Sequence, residues 1–461
     1  MGEAKEKARV GWRVIVTYAL VVITCALGNL SQTGVNAMMP SIMVEFEVDV
    51  ALAQWLATGY MLVIGIAVPI ATYLSNKVTV RVHLVIGVLA FMIGSVMDWL
   101  APNFAVMLAG RICQAISVGV LLPLMQNIAV LQFPPGLRAT AMGVGGIAMG
   151  FAPNIGPTVG GALEYAFGWR SFFVLLVACT VVLLVLTLLF VRGGKPVAPD
   201  ARFAGVSFIY STIGFGGLLL GLSMASTYGF ASSYVWVPIL IGAVFVALFL
   251  RRQAKSDNPL IHLEIFKSST YVRGLVVLTL LFGSFLGVTL TIPLTIQDLQ
   301  GGSSLDAGVV LLPATVVALI VNPLSGILAD RFGTRPVCIV FAMFLAVGSV
   351  LWVFVDEHTP MPAMMAFQSI RGIGVSGLVG PLQAWSLSKL DARIIPDGSS
   401  MSVLMRQAAA SLGTALCVFA LAAFIDLASV TGMAALPYQI SFGISAAFGV
   451  VCTISVLWKV K

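Results

Sequence analysis

The stretch GVGGIAMGFAPNIGPTVGG, residues 143–161, constrains how the rest of the chain can fold. It lies in an apolar segment long enough to cross a bilayer, and small residues recur in it at every fourth position. This spacing lets another helix approach backbone to backbone. Its two prolines each remove a backbone donor, so we expect the helix to bend there. The pattern fits either a hinged contact between two moving parts or a tightly packed, static helix. The candidate hinge and contact residues are Gly146, Gly150, Pro153, Gly156, Pro157, Gly160 and Gly161.

The composition predicts an all-α polytopic membrane protein. Of 461 residues, 59% are hydrophobic and only 9% are charged, and the mean hydropathy is +1.04. A soluble protein cannot hide that much apolar surface. The net charge of +7 does not indicate nucleic acid, because the basic residues lie in short turns between apolar runs. The six cysteines are scattered singly, so we expect neither a metal site nor a disulfide framework, and no cofactor.

Fourteen apolar runs are long enough to cross a hydrocarbon core of about 30 Å. They are 13–38, 53–75, 82–101, 104–131, 139–165, 169–192, 204–226, 234–251, 272–297, 306–328, 335–355, 361–388, 399–425 and 436–458. The even number predicts that both termini lie on one side. Basic residues such as Arg138, Arg331 and Arg335 fall in the turns on that side, whereas Glu45 and Asp356 fall on the other. The positive-inside rule therefore predicts a multi-pass cell membrane protein with cytoplasmic termini.

An internal repeat divides the chain. Its matched positions are 254 to 260 residues apart: Leu74 with Leu328, Arg111 with Arg371, Pro123 with Pro381, and Gly156 with Gly413. This offset predicts two six-helix halves separated by two extra central helices, with a site at the interface of the halves. We expect the N-terminal half at 1–192, the inserted helices and their linkers at 193–270, and the C-terminal half at 271–461.

Several motifs resemble those of the major facilitator superfamily. Gly150, Gly156-Pro157 and Gly160-Gly161 look like the GxxxxxGPxxGG signature on the fifth helix of its drug exporters. The second repeat contains a nearly complete copy of the loop motif GxLaDRxGRR, whereas the first copy, at residues 72–81, is degenerate. The residues of the second copy that we expect to gate the protein are Gly326, Asp330, Arg331, Gly333 and Arg335.

With fourteen spans, the chain resembles the drug/proton antiporter branch of that family, which contains bacterial multidrug efflux proteins. The resemblance implies a major facilitator fold, a small-molecule substrate, protons as the coupling ion and a monomer in the bilayer. In the helix-1 motif of this branch, Ser31 stands where relatives have an aspartate associated with cations or protons.

Polar residues on the first helix predict a cavity wall. Asn29, Gln32, Thr33 and Asn36 share one face, and polar groups facing lipid would be costly. The alternative is a hydrogen-bonded contact between helices. Further cavity candidates are Tyr60, Gln114, Phe285, Gln297 and Gln383.

Asp98 and Arg111 are the candidates for proton coupling. They lie on consecutive predicted helices at similar depth, about 8–12 Å from the turn that joins them, so we expect them to pair. Arg111 with Gln114 resembles the helix-4 motif RxxQG of the family, whose arginine is associated with proton coupling. A fixed bridge that never titrates is an equal alternative.

The sequence predicts a transporter and not an enzyme. It contains no Walker A motif, so an ion gradient or the solute's own gradient must drive movement. Our hypothesis is export of amphipathic small molecules or drugs by alternating access, in exchange for protons. The alternatives are a dedicated exporter of a neutral or anionic metabolite, or a membrane sensor or scaffold that transports nothing.

Overall fold

The computed structural model describes residues 10–194, 196, 203–230, 232–256, 259–431 and 433–460. Within these residues the chain folds into fourteen long helices and has no strands. They are α1 Trp12–Phe46, α2 Trp55–Lys77, α3 Val80–Trp99, α4 Phe104–Leu131, α5 (Arg138–Gly146, Ile147–Phe151 and Ala152–Phe167), α6 Arg170–Phe190, α7 Gly205–Tyr228, α8 Ser233–Lys255, α9 (Ser269–Leu294 and Thr295–Leu299), α10 Ser304–Phe332, α11 Thr334–Val353, α12 Met361–Leu387, α13 Ile395–Thr431 and α14 Leu436–Lys459.

These fourteen helices confirm the predicted all-α membrane fold. Twelve helices in the described part of the chain are long and apolar enough to cross a bilayer. The other two are α5, which is broken into pieces, and α12, which carries several polar side chains. The inserted helices α7 and α8 pack mainly on each other, and α7 also contacts α2 and α13. The inserted pair therefore covers one seam between the two six-helix halves.

The helices alternate in direction across the bundle. The ring of Trp12 packs against Phe190, which joins the start of α1 to the end of α6. At the opposite end Arg170 pairs with Glu45, which joins the start of α6 to the end of α1. We call the end that contains Trp12 the proximal end and the other the distal end.

The glycine- and proline-rich stretch forms a broken helix. A π-helical turn, Ile147–Phe151, ends two residues before Pro153. In a regular α-helix the ring of Pro153 would clash with the carbonyl four residues earlier, and the wider turn relieves this clash. Beyond the turn α5 packs on α1, where a Cβ added to Gly160 would lie 2.6 Å from the Gly34 carbonyl oxygen. Before the turn α5 packs on α10 and α12 of the other half. The two ends of α5 thus belong to different contacts.

Candidate functional site

A cavity of about 420 Å³ lies between the two halves, in the distal part of the bundle. Asn36 of α1 and Gln297 at the end of α9 line it from opposite halves, and both are exposed. The wall is mostly apolar with a few separated polar groups, as is usual for small-molecule sites. Its polar lining residues are Thr33, Asn36, Asn154, Ser223, Thr289, Gln297, Gln407, Ser411 and Thr414.

The proximal end is closed by a capping contact between the halves. The Asp330 carboxylate, at the end of α10, accepts hydrogen bonds from the backbone N–H groups of Ala139 (3.1 Å) and Thr140 (2.7 Å). It also accepts one from the Thr140 hydroxyl at 2.6 Å. A carboxylate at the start of a helix is favoured by its unpaired N–H groups and its dipole. Asp330 therefore fastens α10 of one half to α5 of the other.

Three further contacts reinforce this proximal closure. The Thr72 hydroxyl donates to Ser400 at 2.7 Å, and the Gln383 amide donates to Gln126 at 3.1 Å. Both bonds join the two halves. Gly326 packs so closely on the Ala139 carbonyl that no side chain fits between them. The predicted gate residues beyond Asp330 mark the end of α10: Gly333 ends the helix at φ +90°, and Arg331 and Arg335 are exposed on either side.

The residues that we predicted to line the cavity divide into two groups. Thr33, Asn36 and Gln297 line the cavity, as do Pro153 and Pro157 of the hinge set. The Thr33 hydroxyl donates to the Pro153 carbonyl at 2.7 Å. That carbonyl has no helical donor because Pro157 lacks an N–H. Thr33 thus satisfies a group that the bend in α5 exposes.

The structure places the other predicted cavity residues elsewhere. Asn29 donates to the Cys25 carbonyl within α1, and Tyr60 donates to the Gly28 carbonyl, so both are buried contacts between or along helices. Gln383 belongs to the proximal closure. Gln32 is not among the lining residues, and Phe285 lines a separate, smaller pocket together with Gly146 and Gly150.

Arg111 is the centre of a buried polar network. Its guanidinium donates to the Ser31 hydroxyl (2.7 Å), the Ser31 carbonyl (3.1 Å) and the Gln114 side chain (2.8 Å). Gln114 in turn donates to Ser95 of α3 at 2.9 Å, and the guanidinium lies over the Tyr60 ring at 4.1 Å. Arg111 and Gln114 are both completely buried. The network joins four helices and places Gln114 away from the cavity.

The expected ion pair between Asp98 and Arg111 does not form. No Arg111 nitrogen lies within 4.0 Å of a carboxyl oxygen in the described part of the chain. Asp98 is fully buried over Gly110, and neither of its oxygens has a hydrogen-bond partner. Ser31, Gln114 and a backbone carbonyl of α2 take the Nε and Nη1 donors of Arg111, and its Nη2 is buried without a hydrogen-bond partner.

Sequence reasoning missed several lining residues, especially on the inserted helix α7 and on α13. Asn154 is one of them, although it continues the four-residue spacing of Gly146 and Gly150, which was its available signal. Ser223 had no such periodic signal, because the position of α7 relative to the halves depends on tertiary packing.

A family model described as Major Facilitator Superfamily matches residues 21–414. The chain belongs to the major facilitator superfamily. It is 33% identical over 428 residues to the uncharacterized MFS-type transporter YcnB of Bacillus subtilis (93% of this chain, 90% of that protein). It is 32% identical to the lincomycin resistance protein LmrB of the same organism (91% of this chain, 88% of that protein).

Among solved structures, the chain resembles the human organic anion transporter MFSD10, with a TM-score of 0.68 over 96% of this chain and 99% of that one. At 14% identity this likeness shows the fold alone. Together these comparisons identify the chain as a multi-pass membrane transporter with relatives among multidrug-resistance proteins.

Proposed function

We propose that the protein exports amphipathic small molecules across the cell membrane by alternating access, in exchange for protons. The observation that carries this proposal is the asymmetry of the interface between the halves. The cavity reaches exposed residues at the distal end, while Asp330 holds the proximal end closed. This is the arrangement that an exporter has after it releases its substrate, with the proximal end as the cytoplasmic end.

Movement between the two access states requires the halves to separate at the proximal end. The hydrogen bonds that must break are few and local: the capping bonds of Asp330, the Thr72–Ser400 bond and the Gln126–Gln383 bond. The packing of α5 on α10 and α12 must separate with them. The break in α5 lies where its contact changes from one half to the other. It supplies the hinge that such rocking needs.

Asp98 is the proposed proton carrier. It is completely buried in the N-terminal half, and its carboxyl oxygens have no hydrogen-bond partner. It lies on α3, the helix whose Ser95 accepts a hydrogen bond from Gln114 of the Arg111 network. An ionisable group buried in this way inside a membrane protein is a marker of an ion path. The chain is similar in sequence to the lincomycin resistance protein and to the multidrug export protein EmrB of Escherichia coli. This similarity supports drug-like substrates.

The test is efflux of cationic, neutral and anionic dyes from proteoliposomes with and without a pH gradient. We expect gradient-driven flux in the wild type that falls to the gradient-free rate in Asp98→Asn. The matched control is Asp356→Asn in the loop between α11 and α12, which should keep its flux. Gradient-driven flux that survives in Asp98→Asn would contradict proton carriage by Asp98, and failure of every dye to move would contradict multidrug export.

A further inference from the structure

A second, smaller pocket lies beside the main cavity, at the centre of the bundle. Its volume is about 30 Å³, and it shares Asn154 with the cavity as a common wall. This volume admits a small group and not an aromatic body. Arg371 of α12 borders it, together with Gln368 and Ser376 of the same helix.

Arg371 is buried without a negative partner. Its side chain is completely buried, and its Nη2 donates to the Ser284 carbonyl at 2.6 Å and more weakly to the Phe285 carbonyl at 3.4 Å. The Ser284 carbonyl already accepts a hydrogen bond from the Ser445 hydroxyl at 2.6 Å. The Nε of Arg371 has no partner. Its charge is therefore only partly compensated by neutral dipoles.

Arg406 of α13 adds a second buried cation to the same place. It is 4% exposed, its Nε has no partner, and its Nη1 lies 3.4 Å from the sulfur of Met149. Its guanidinium lies over the Phe282 ring at 5.0 Å. Met149 and Phe282 both line the small pocket, so the second guanidinium lies directly behind the pocket wall.

The pocket thus has one cation in its wall, a second cation behind that wall, and no anion among its lining residues. Among the residues that the structure describes, neither arginine has a carboxyl oxygen within 4.0 Å. Burying a cation without a counter-charge is costly, and arginine's planar donors match a carboxylate especially well. An ammonium group would be repelled here, whereas a carboxylate would compensate the charge.

We propose that this pocket binds the carboxylate of an amphipathic organic anion, whose apolar body occupies the 420 Å³ cavity. The neutral side chains of Gln368 and Ser376 supply further polar contacts to the carboxylate, and Phe285 lies at its edge. The proposal rests on the proposed transport function and names the class of its substrate. It assigns Arg371 the direct contact and Arg406 the supporting charge.

The test measures binding and transport separately, with three probes that share one naphthyl body: a carboxylate, its amide and an ammonium. Binding is measured by fluorescence titration of the purified protein in detergent. We expect the wild type to prefer the carboxylate, and Arg371→Met to weaken its binding by about 10- to 100-fold, the usual value of a charge-assisted bond. Amide binding should change by less than about twofold. Arg371→Lys should fall between the two, because it keeps the charge and loses the forked geometry.

The control and a second variant keep the test decisive. Arg251→Met, at an exposed arginine of α8, should leave carboxylate binding unchanged. Val375→Asp places a carboxylate one helical turn from Arg371, inside the pocket, and should displace the carboxylate probe without removing the arginine. Equal binding of carboxylate and amide to the wild type, or equal losses for both probes in Arg371→Met, would overturn the inference.

Flux of the same probes in proteoliposomes separates the two proposals. Carboxylate binding through Arg371 without flux of any probe would leave the inference intact and refute the transport function. Flux of the amide or ammonium with no preference for the carboxylate would refute the inference and leave the transport function intact.

Discussion

Arg111 and Arg371 occupy matched positions in the two repeats, yet the two halves treat them differently. Arg111 has four hydrogen bonds to side chains and carbonyls of neighbouring helices, and the face of Tyr60 beneath it. Arg371 has two carbonyls and an unpartnered Nε. Each guanidinium has one buried nitrogen without a partner, but the N-terminal half uses its arginine to join helices, whereas the C-terminal half holds its arginine by backbone carbonyls alone, at the edge of a pocket.

The repeat offset explains the difference residue by residue. The 260-residue offset that matches the arginines places Gly374 opposite Gln114, so the C-terminal half has no amide to hold the guanidinium. The 254-residue offset of the loop motif places Ser349 opposite Ser95, and the Ser349 hydroxyl has no partner. The two repeats therefore differ at single matched positions at this level of the bundle.

Replacement of each arginine in turn tests most directly whether the two arginines contribute differently to stability. We expect Arg111→Met to lower the unfolding free energy by about 2–4 kcal/mol, because it removes charge-assisted bonds that join α1, α2 and α4. Arg371→Met should change it by less than about 1 kcal/mol, because relief of the buried charge offsets the lost bonds. Thermal unfolding of both variants in detergent measures the difference, and equal losses of stability would contradict it.

The large features of the fold were predictable from sequence because they depend on local chemistry. Fourteen apolar runs, a 254–260 residue repeat and the broken helix around Pro153 follow from composition and spacing, and the structure has each of them. The loop motif located Asp330 at the interface, although its partners on α5 were not identified. The division of the chain at 192 and 270 stays a prediction.

The site was less predictable, because a polar face on a helix does not specify its partner. Asn29 and Thr33 share one face of α1, yet Asn29 bonds within its own helix and Thr33 lines the cavity. Depth alone likewise predicted an Asp98–Arg111 pair, but Arg111 donates to Ser31 and Gln114 at that depth, and Asp98 has no hydrogen-bond partner. Such outcomes depend on side-chain packing between distant segments.

A smaller substitution in the N-terminal half measures how much one hydrogen bond of the Arg111 network contributes to stability. Ser31→Ala removes one hydroxyl that both accepts from Arg111 and donates to Gln114, and leaves the guanidinium its other bonds. We expect a loss of about 1–2 kcal/mol, less than for Arg111→Met. The matched control is Ser41→Ala at the exposed distal end of α1, where the hydroxyl donates to Glu164 at the surface and not in the interior. Unfolding midpoints in one detergent compare the three proteins, and a Ser31→Ala protein as stable as its control would show that the hydroxyl contributes nothing.

The smallest effect concerns Asp397, a buried acid of the C-terminal half that lies nine residues before Arg406 on α13, about 13 Å away along the helix and out of reach of its guanidinium. Asp397 instead pairs with His262 of the segment before α9, at 3.1 Å. The hydrogen bond to Asp397 raises the pKa of His262 above its ordinary value. A raised pKa means that the pair stabilises the fold fully below about pH 6.5 and that this contribution is lost as the pH rises through the folded-state pKa.

We therefore expect the free energy of unfolding to fall as the pH rises above about 6.5, by less than about 1 kcal/mol because His262 is partly exposed. His262→Gln should remove this part of the pH dependence, while His358→Gln, in an exposed distal loop, should keep it. An unchanged slope in His262→Gln would mean that Asp397 is not committed to His262. The contrast between paired and unpaired charges in the C-terminal half would then weaken.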